Sequence, residues 1–369
     1  MIAVHPQAHP SDRAPLDVGG AARKRAMLMR RSLLLLAMAF GTWLQIVPAH
    51  AQAARTFVSR KGNDGYACTA SAPCRTLATA LARTAAGGEI YVLDSANYGS
   101  ATITRTVAIV AEDGAAGVLA SGGATGISVN AGANDVVTLR GLDIDGAGSG
   151  ADGIVFTAGG ALNVLSCVIR GFTNSGISFQ PAGPGSLFIA DATVSDNAGT
   201  AIRFRNAAAP ASIAVLTDVQ LVNNENGMAA QGSTGTAPAN VTVQNSIVAN
   251  NRGAGILSGD FSVVSVANST IANNTIGLSA QGPGANLKVL RSTVTANGTG
   301  LQAANGGKVV SSANNAVGGN TSGNAIPSVE PPPPPPPSPP PAPPPSADYI
   351  LDSGGGHVLD ESGGKVMAM

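Results

Sequence analysis

Val241-Thr-Val-Gln-Asn-Ser-Ile-Val-Ala-Asn-Asn251, Val264-Ser-Val-Ala-Asn-Ser-Thr-Ile-Ala-Asn-Asn274 and Leu287-Lys-Val-Leu-Arg-Ser-Thr-Val-Thr-Ala-Asn297 are one pattern written three times, 23 residues apart. Working outward, the same chemistry returns every 23 to 27 residues from residue 137 onward. One column holds Ile144, Ile169, Val194, Leu221, Val248, Ile271, Val294 and Val317. Five residues earlier stand Leu139, Val164, Ile189, Leu216, Val243, Val266 and Val289, with Ser312 in the last copy. Seven earlier come Val137, Leu162, Leu187, Ala214, Val241, Val264, Leu287 and Val310. Apolar and polar positions alternate, as in strands with one buried face.

Three residues after the Ile/Val column lies Asn197, Asn224, Asn251, Asn274, Asn297 and Asn320. Asparagine tolerates left-handed backbone, and stacked at the ~4.8 Å spacing of paired strands its amide reaches the same amide one coil away. A glycine and an apolar residue follow, as in Gly227-Met228, Gly255-Ile256 and Gly277-Leu278, opening a further strand. Each copy is two or three short strands joined by tight corners and cannot bury its apolar face alone, so copies must stack. A leucine-rich repeat shares the period but needs an L-x-x-L-x-L frame that is missing, and calcium-binding nonapeptide rolls need a G-G-x-G-x-D run. The expected fold is therefore all-β, a single-stranded parallel β-helix. A smaller column two residues before the Ile/Val one (Leu142, Cys167, Ala192, Val219, Ser246, Ser269, Ser292) is expected to face inward, making Cys167 a buried thiol.

Residues 1–51 have the build of an export signal with a possible N-terminal extension. Arg23, Lys24, Arg25, Arg30 and Arg31 precede an apolar stretch over residues 33–47, and Ala49-His50-Ala51 offers a small-x-small cleavage site before Gln52. The expected destination is outside the cytoplasm: extracellular, cell surface or periplasm. No later segment has the run of ~18 apolar residues a membrane span needs. Without residues 1–51 the chain carries 15 basic and 19 acidic residues, a net of −4, which disfavours nucleic acid as a partner.

Between Pro73 and Gly88 the period changes: Leu77, Ala80, Leu81 and Ala85 fall at helical spacing, with Gly87-Gly88 as a stop. A short amphipathic helix capping the open end of the coil is expected there. Cys68 and Cys74 flank a short turn in an exported chain, which reads as a disulfide pinning that cap, because no histidine lies between residues 51 and 356 to complete a zinc site. The run Phe57-Val58-Ser59, Gly62-Asn63-Asp64, Cys68, Pro73-Cys74-Arg75-Thr76-Leu77, Ala80-Leu81, Gly87-Gly88-Glu89-Ile90-Tyr91-Val92 and Asn97-Tyr98 resembles the opening motif of the pectin-lyase-like, right-handed parallel β-helix superfamily. With the Asn-bearing repeats, the resemblance covers about residues 55–325 and implies right-handed coiling. It says little about activity, because that superfamily includes lyases, hydrolases, adhesins and non-catalytic scaffolds. The expected organisation is 52–104 as N-terminal cap, 105–325 as β-helix repeats, 326–347 as a Pro-rich linker and 348–369 as a short C-terminal tail. Residues 331–345 include 13 prolines, enough for a polyproline rod of about 45 Å.

The resemblance also frames the search for chemistry. Hydrolases of this superfamily use paired Asp with histidine, which the repeats lack; pectate lyases use acidic calcium ligands and an Arg or Lys base. The nearest candidates for such a site are Asp143, Asp145, Asp152, Arg170 and Asp191. Asp145 and Arg170 share an outward column on adjacent coils, the arrangement of a surface ion pair, and Asp143 is expected in nearly the column of Asp191. Phe156, Phe172, Phe179, Phe188 and Phe204 are expected to stack inside. The leading expectation is a non-catalytic exported β-helix whose repetitive surface serves binding or adhesion, with no cofactor and a polysaccharide or cell-surface component as partner. The alternatives are a calcium-dependent polysaccharide lyase and a structural component of the cell envelope.

Overall fold

The computed structural model describes residues 52–111, 116–207, 211–233, 237–312 and 314–324, and the backbone of 358–359 and 365–366. The expected export signal, the expected Pro-rich linker and most of the expected tail lie outside the described residues; Val358–Leu359 and Lys365–Val366 pair antiparallel. The remainder is a solenoid of three parallel sheets. The first has 11 strands, from Ala53–Val58 to Lys308–Ser311, the second 10, from Ala96–Asn97 to Ala316–Val317, and the third nine, from Ala101–Ile103 to Thr299–Ala304. The chain visits the sheets in that order and returns to the first, so each strand's neighbours are its counterparts one coil before and after. Stacking begins with the opening segment itself, because Ala53–Val58 pairs in parallel with Thr84–Val92.

Equivalent side chains lie over one another. The pairing runs Ile144, Ile169, Val194, Leu221, Val248, Ile271, Val294, Val317 without a slip, and all but Val317 are fully buried. The Leu139 column also holds as far as Val289. The last coil departs from the expected register: Leu287 pairs with Val309 and Val289 with Ser311, one residue earlier than Val310 and Ser312. Asn315 explains the extra residue at that corner. Its Nδ2 donates to Val289 O at 2.7 Å and to Ser311 Oγ at 2.8 Å, while its Oδ1 accepts from Ser292 N at 2.8 Å. A longer side chain thus closes a corner that serine closes elsewhere.

Two corner ladders tie the coils together. Between the second and third sheets, each ladder asparagine donates its backbone N–H and its Nδ2 to the next one's Oδ1, from Asn197 through Asn224, Asn251, Asn274 and Asn297 to Asn320. Asn324 accepts from the last of them. The left-handed backbone expected of these asparagines belongs instead to the residue before: Asp196, Asn223, Asn250, Asn273 and Ala296 have φ of 56°, 60°, 57°, 56° and 55°. Between the first and second sheets runs a serine ladder. Ser246, Ser269 and Ser292 accept from the N–H of Val219, Ser246 and Ser269 at 3.2, 3.1 and 3.1 Å and donate to carbonyls two residues back. Glycine after the Asn corner is required by crowding, since a Cβ on Gly255 would lie 2.6 Å from Gly277 O.

The N-terminal helix spans Leu77–Arg83, with Thr76 as its N-cap and Leu77, Ala80 and Leu81 buried. It is shorter than the expected run to Gly87-Gly88. Pairing with Ala53–Val58 draws the chain into a strand from Thr84, whose hydroxyl donates to Ala80 O at 2.7 Å, and Ala85 leaves the helix face. Asp64 accepts from the N–H groups of Arg75 and Thr76 at 2.8 and 2.9 Å and from the Thr76 hydroxyl at 3.0 Å, and Cys68 is bonded to Cys74.

Two depressed carboxyls make this cap the expected first region to loosen in acid. Burial opposes ionisation of Asp64, but its hydrogen bonds outweigh that and hold the carboxyl below the usual aspartate range. Asp94 is likewise opposed by burial and held low by Tyr98, Arg60 N–H and Ser59. A depressed folded value contributes stability fully above the ordinary value of 3.8 and loses it as pH falls through the lower folded one. As pH falls below the ordinary value of 3.8, protection against hydrogen exchange, taken relative to the intrinsic rate at each pH, should therefore fall in residues 57–98 before it falls in residues 221–297. Simultaneous loosening of both regions would contradict this, and Asp64→Asn should shrink the difference.

Candidate functional site

The five acidic and basic candidates do not form one cluster. Asp143 and Asp145 stand on the outer face of the second-sheet strand Leu142–Gly150, and Arg170 stands one coil on, paired across from Asp145. The Arg170 guanidinium reaches Asp143 at 2.7 and 3.0 Å and Asp145 at 3.1 Å. Asp145 also accepts from Ala147 N at 2.7 Å, fixing the left-handed turn at Ala147 and Gly148. The hydrogen bond to Asp143 leads the effects that raise the Arg170 pKa, so the guanidinium is held protonated. A proton-abstracting base needs the opposite.

Asp152 and Asp191 lie elsewhere. Asp152 follows the strand at the corner toward the third sheet and accepts from Ser175 N at 3.0 Å. Asp191, expected near the Asp143 column, sits at the opposite corner with φ of 52°, just ahead of the inward-facing Ala192; Asp143 instead stacks over Val168 and Thr193. The miscount arises because the left-handed residue breaks the period of two. Among the described residues no group of three or more His, Cys, Asp and Glu is placed to hold a metal ion.

Inside, the ring stack is shorter than expected. Phe156, Phe179 and Phe204 lie in register with centroids 4.5 and 5.1 Å apart and planes inclined by 12° and 2°. Phe172 is buried apart from them, its ring lying where Gly146, Gly150 and Gly153 carry no Cβ. Phe188 points outward, 39% exposed, as its buried neighbours Leu187 and Ile189 require. Cys167 is buried as expected, and burial pushes its thiol up to about 11.

The third sheet carries a feature the sequence reading passed over. A groove of about 570 Å³ crosses its outer face, lined in part by Arg203, Arg205, Gln231, Leu257, Asp260 and Pro283. Arg203 and Arg205 flank the fully buried Phe204, and so project together from the strand Thr200–Asn206. The signal was present, an Arg-Phe-Arg alternation in register with the Gly-apolar strands, but only the inward residues of those strands had been aligned.

A family model agrees with this geometry. The family described as "Right handed beta helix region" matches residues 90–262 and 152–322. The solved pectate lyase Pel9A is similar over 74% of this chain and 80% of its own, with 13% identity and a TM-score of 0.49. The A-module of mannuronan C-5 epimerase AlgE6 from Azotobacter vinelandii is similar over 62% of this chain and 79% of its own, with 13% identity and a TM-score of 0.38. No curated protein matches. With three parallel sheets, an asparagine corner and a family match extending from residue 90 to residue 322, this chain belongs to the right-handed β-helix family.

Proposed function

We propose that this chain is an exported, non-catalytic β-helix that presents a ribbed polar surface for binding a polysaccharide or a cell-surface component. One observation carries the reading: Arg170 is bound to both Asp143 and Asp145, so the charged cluster best placed for sugar chemistry satisfies itself. These side chains are about one-third exposed, which makes the cluster a solvent-screened surface network. Beyond it the outward positions mix polar residues such as Asn163, Thr193, Gln220, Asn240, Thr242 and Thr270 with exposed Phe188, Ile213 and Ile247, an extended surface suited to a long ligand rather than a single small molecule. The disulfide of the cap fits an oxidising compartment.

The test is a panel of soluble and insoluble polysaccharides incubated with the purified protein, with and without calcium, scored for retention and for unsaturated products. Retention on at least one polysaccharide without product is expected. Unsaturated products that vanish in Asp143→Ala or Arg170→Ala would establish a lyase and overturn the reading, as would failure to bind any member of the panel.

A further inference from the structure

We propose that the groove on the outer face of the third sheet is a binding site for an acidic saccharide chain, with Arg203 and Arg205 holding its carboxylates and Asp260 its hydroxyls. This deepens the binding role proposed above and rests on it. Arg203 and Arg205 are two residues apart on one strand face, hence about 6.6 Å apart along it. Neither has a hydrogen-bond or ion-pair partner among the described residues, unlike Arg55, Arg170 and Arg252, which face Glu89, the Asp pair and Glu225. Two adjacent cations left uncompensated on a rigid strand repel one another, and an anionic ligand that takes planar two-point hydrogen bonds relieves the repulsion.

The far wall is also built. Asp260 sits on a corner fixed by Gly232 N–H to Asp260 O at 2.8 Å and by Phe261 N–H to Pro283 O at 2.9 Å. Gly282 lies beneath its carboxylate with φ of 95°, and a Cβ there would fall 1.8 Å from Asp260 Oδ1, so the glycine makes room for the acid. The Asp260 side chain has no hydrogen-bond partner among the described residues. Donors and an acceptor thus face each other across the groove, with the Gln231 amide, stacked on Arg205, supplying both kinds.

The ligand class follows from what the groove offers. The backbone of the third sheet is spent in parallel pairing across these coils, so a peptide cannot add to it as a strand. No aromatic ring is among the lining residues, so a base or an aromatic side chain would find only the guanidinium faces to stack on, and would have to give up their carboxylate-binding edges to no gain for Asp260. Leu257 and Pro283 add only small apolar patches, of the size of a sugar's C–H face. A chain rich in hydroxyls that also bears carboxylates satisfies both arginines and the aspartate at once.

The test measures binding of uronic acid oligomers, the same oligomers after reduction of their carboxyl groups, and an oligo-glutamate peptide, each to the folded wild type and variants. The proposal expects the uronate oligomers to bind, the reduced oligomers to bind at least tenfold more weakly, and the Arg203→Gln/Arg205→Gln double variant to lose at least tenfold. Arg140→Gln, an exposed arginine on the first sheet, should leave binding unchanged, with circular dichroism confirming that each variant is folded. Wild-type affinity in the double variant, or an equal loss in Arg140→Gln, overturns the groove while leaving the broader binding role intact. Equal or tighter binding of oligo-glutamate overturns the saccharide assignment, and absence of uronate binding by the wild type overturns this inference whatever the polysaccharide panel shows.

Discussion

Replacing Asn251 with alanine should destabilise the solenoid by about 3 kcal/mol, because the amide serves two neighbouring coils. Its Oδ1 accepts from Asn224 N at 3.0 Å and from Asn224 Nδ2 at 3.3 Å, and its Nδ2 donates to Leu221 O at 3.1 Å and to Asn274 Oδ1 at 2.8 Å. Alanine keeps the backbone N–H that bonds Asn274 Oδ1, but it strands the Asn224 N–H where water does not reach and takes a second donor from the Leu221 carbonyl. Each lost partner costs about 1–3 kcal/mol when the remaining group stays buried. The loss should be local, since each coil touches only its neighbours, and hydrogen exchange should rise first between residues 219 and 278. Asn250→Gly is the matched control: that residue holds the left-handed turn at φ 57° and glycine keeps it, so the change should stay within about 0.5 kcal/mol. Equal effects at the two positions would mean that the stacked amides add nothing beyond the turn.

The contrast between those neighbours also shows what was legible in the sequence. The ladder could be read because burial and hydrogen bonding demand the same residue type at the same place in successive coils, and a demand repeated six times stands out as a column. The Ile/Val column was legible for the same reason. Where a single coil departs, the column gives little warning. Asn315 replaces a corner serine, and Val309 and Ser311 pair one position early; the polar Ser312 in an otherwise apolar column was the one local sign of the shift. The helix end failed differently: Leu77 through Ala85 is a good helical stripe, but strand pairing from Thr84 takes precedence over the period. Phe188 could have been placed correctly, since it lies between two inward residues and its size alone suggested the core. The groove was least legible, because outward residues escape the demand that stacking makes, and Arg203 and Arg205 pair with Ser178, Ala229 and Gln231 and not with other arginines. Function in a solenoid is written in the departures from the repeat, while the fold is written in the repeat.

Phe179→Ala should have the largest effect of any single core change, a loss of about 4 kcal/mol. The ring is fully buried and is the middle member of a stack of three, with Phe156 4.5 Å away on one side and Phe204 5.1 Å on the other. Truncation removes its own contacts and also uncovers one face of each neighbour. The gap cannot collapse, because the strands above and below are held at ~4.8 Å by their own hydrogen bonds whatever fills the interior. Phe179→Leu keeps most of the volume and should cost only about 1–2 kcal/mol, which separates filling from ring stacking. Solenoids need not unfold in one step, so the midpoint in denaturant should be paired with exchange rates measured coil by coil. The expected pattern is accelerated exchange in residues 154–158, 177–179 and 200–206, with the serine and asparagine ladders beyond residue 245 unaffected. A uniform fall in protection along the whole chain would show that the coils unfold as one unit, and the nearest-neighbour account of this molecule would then be wrong.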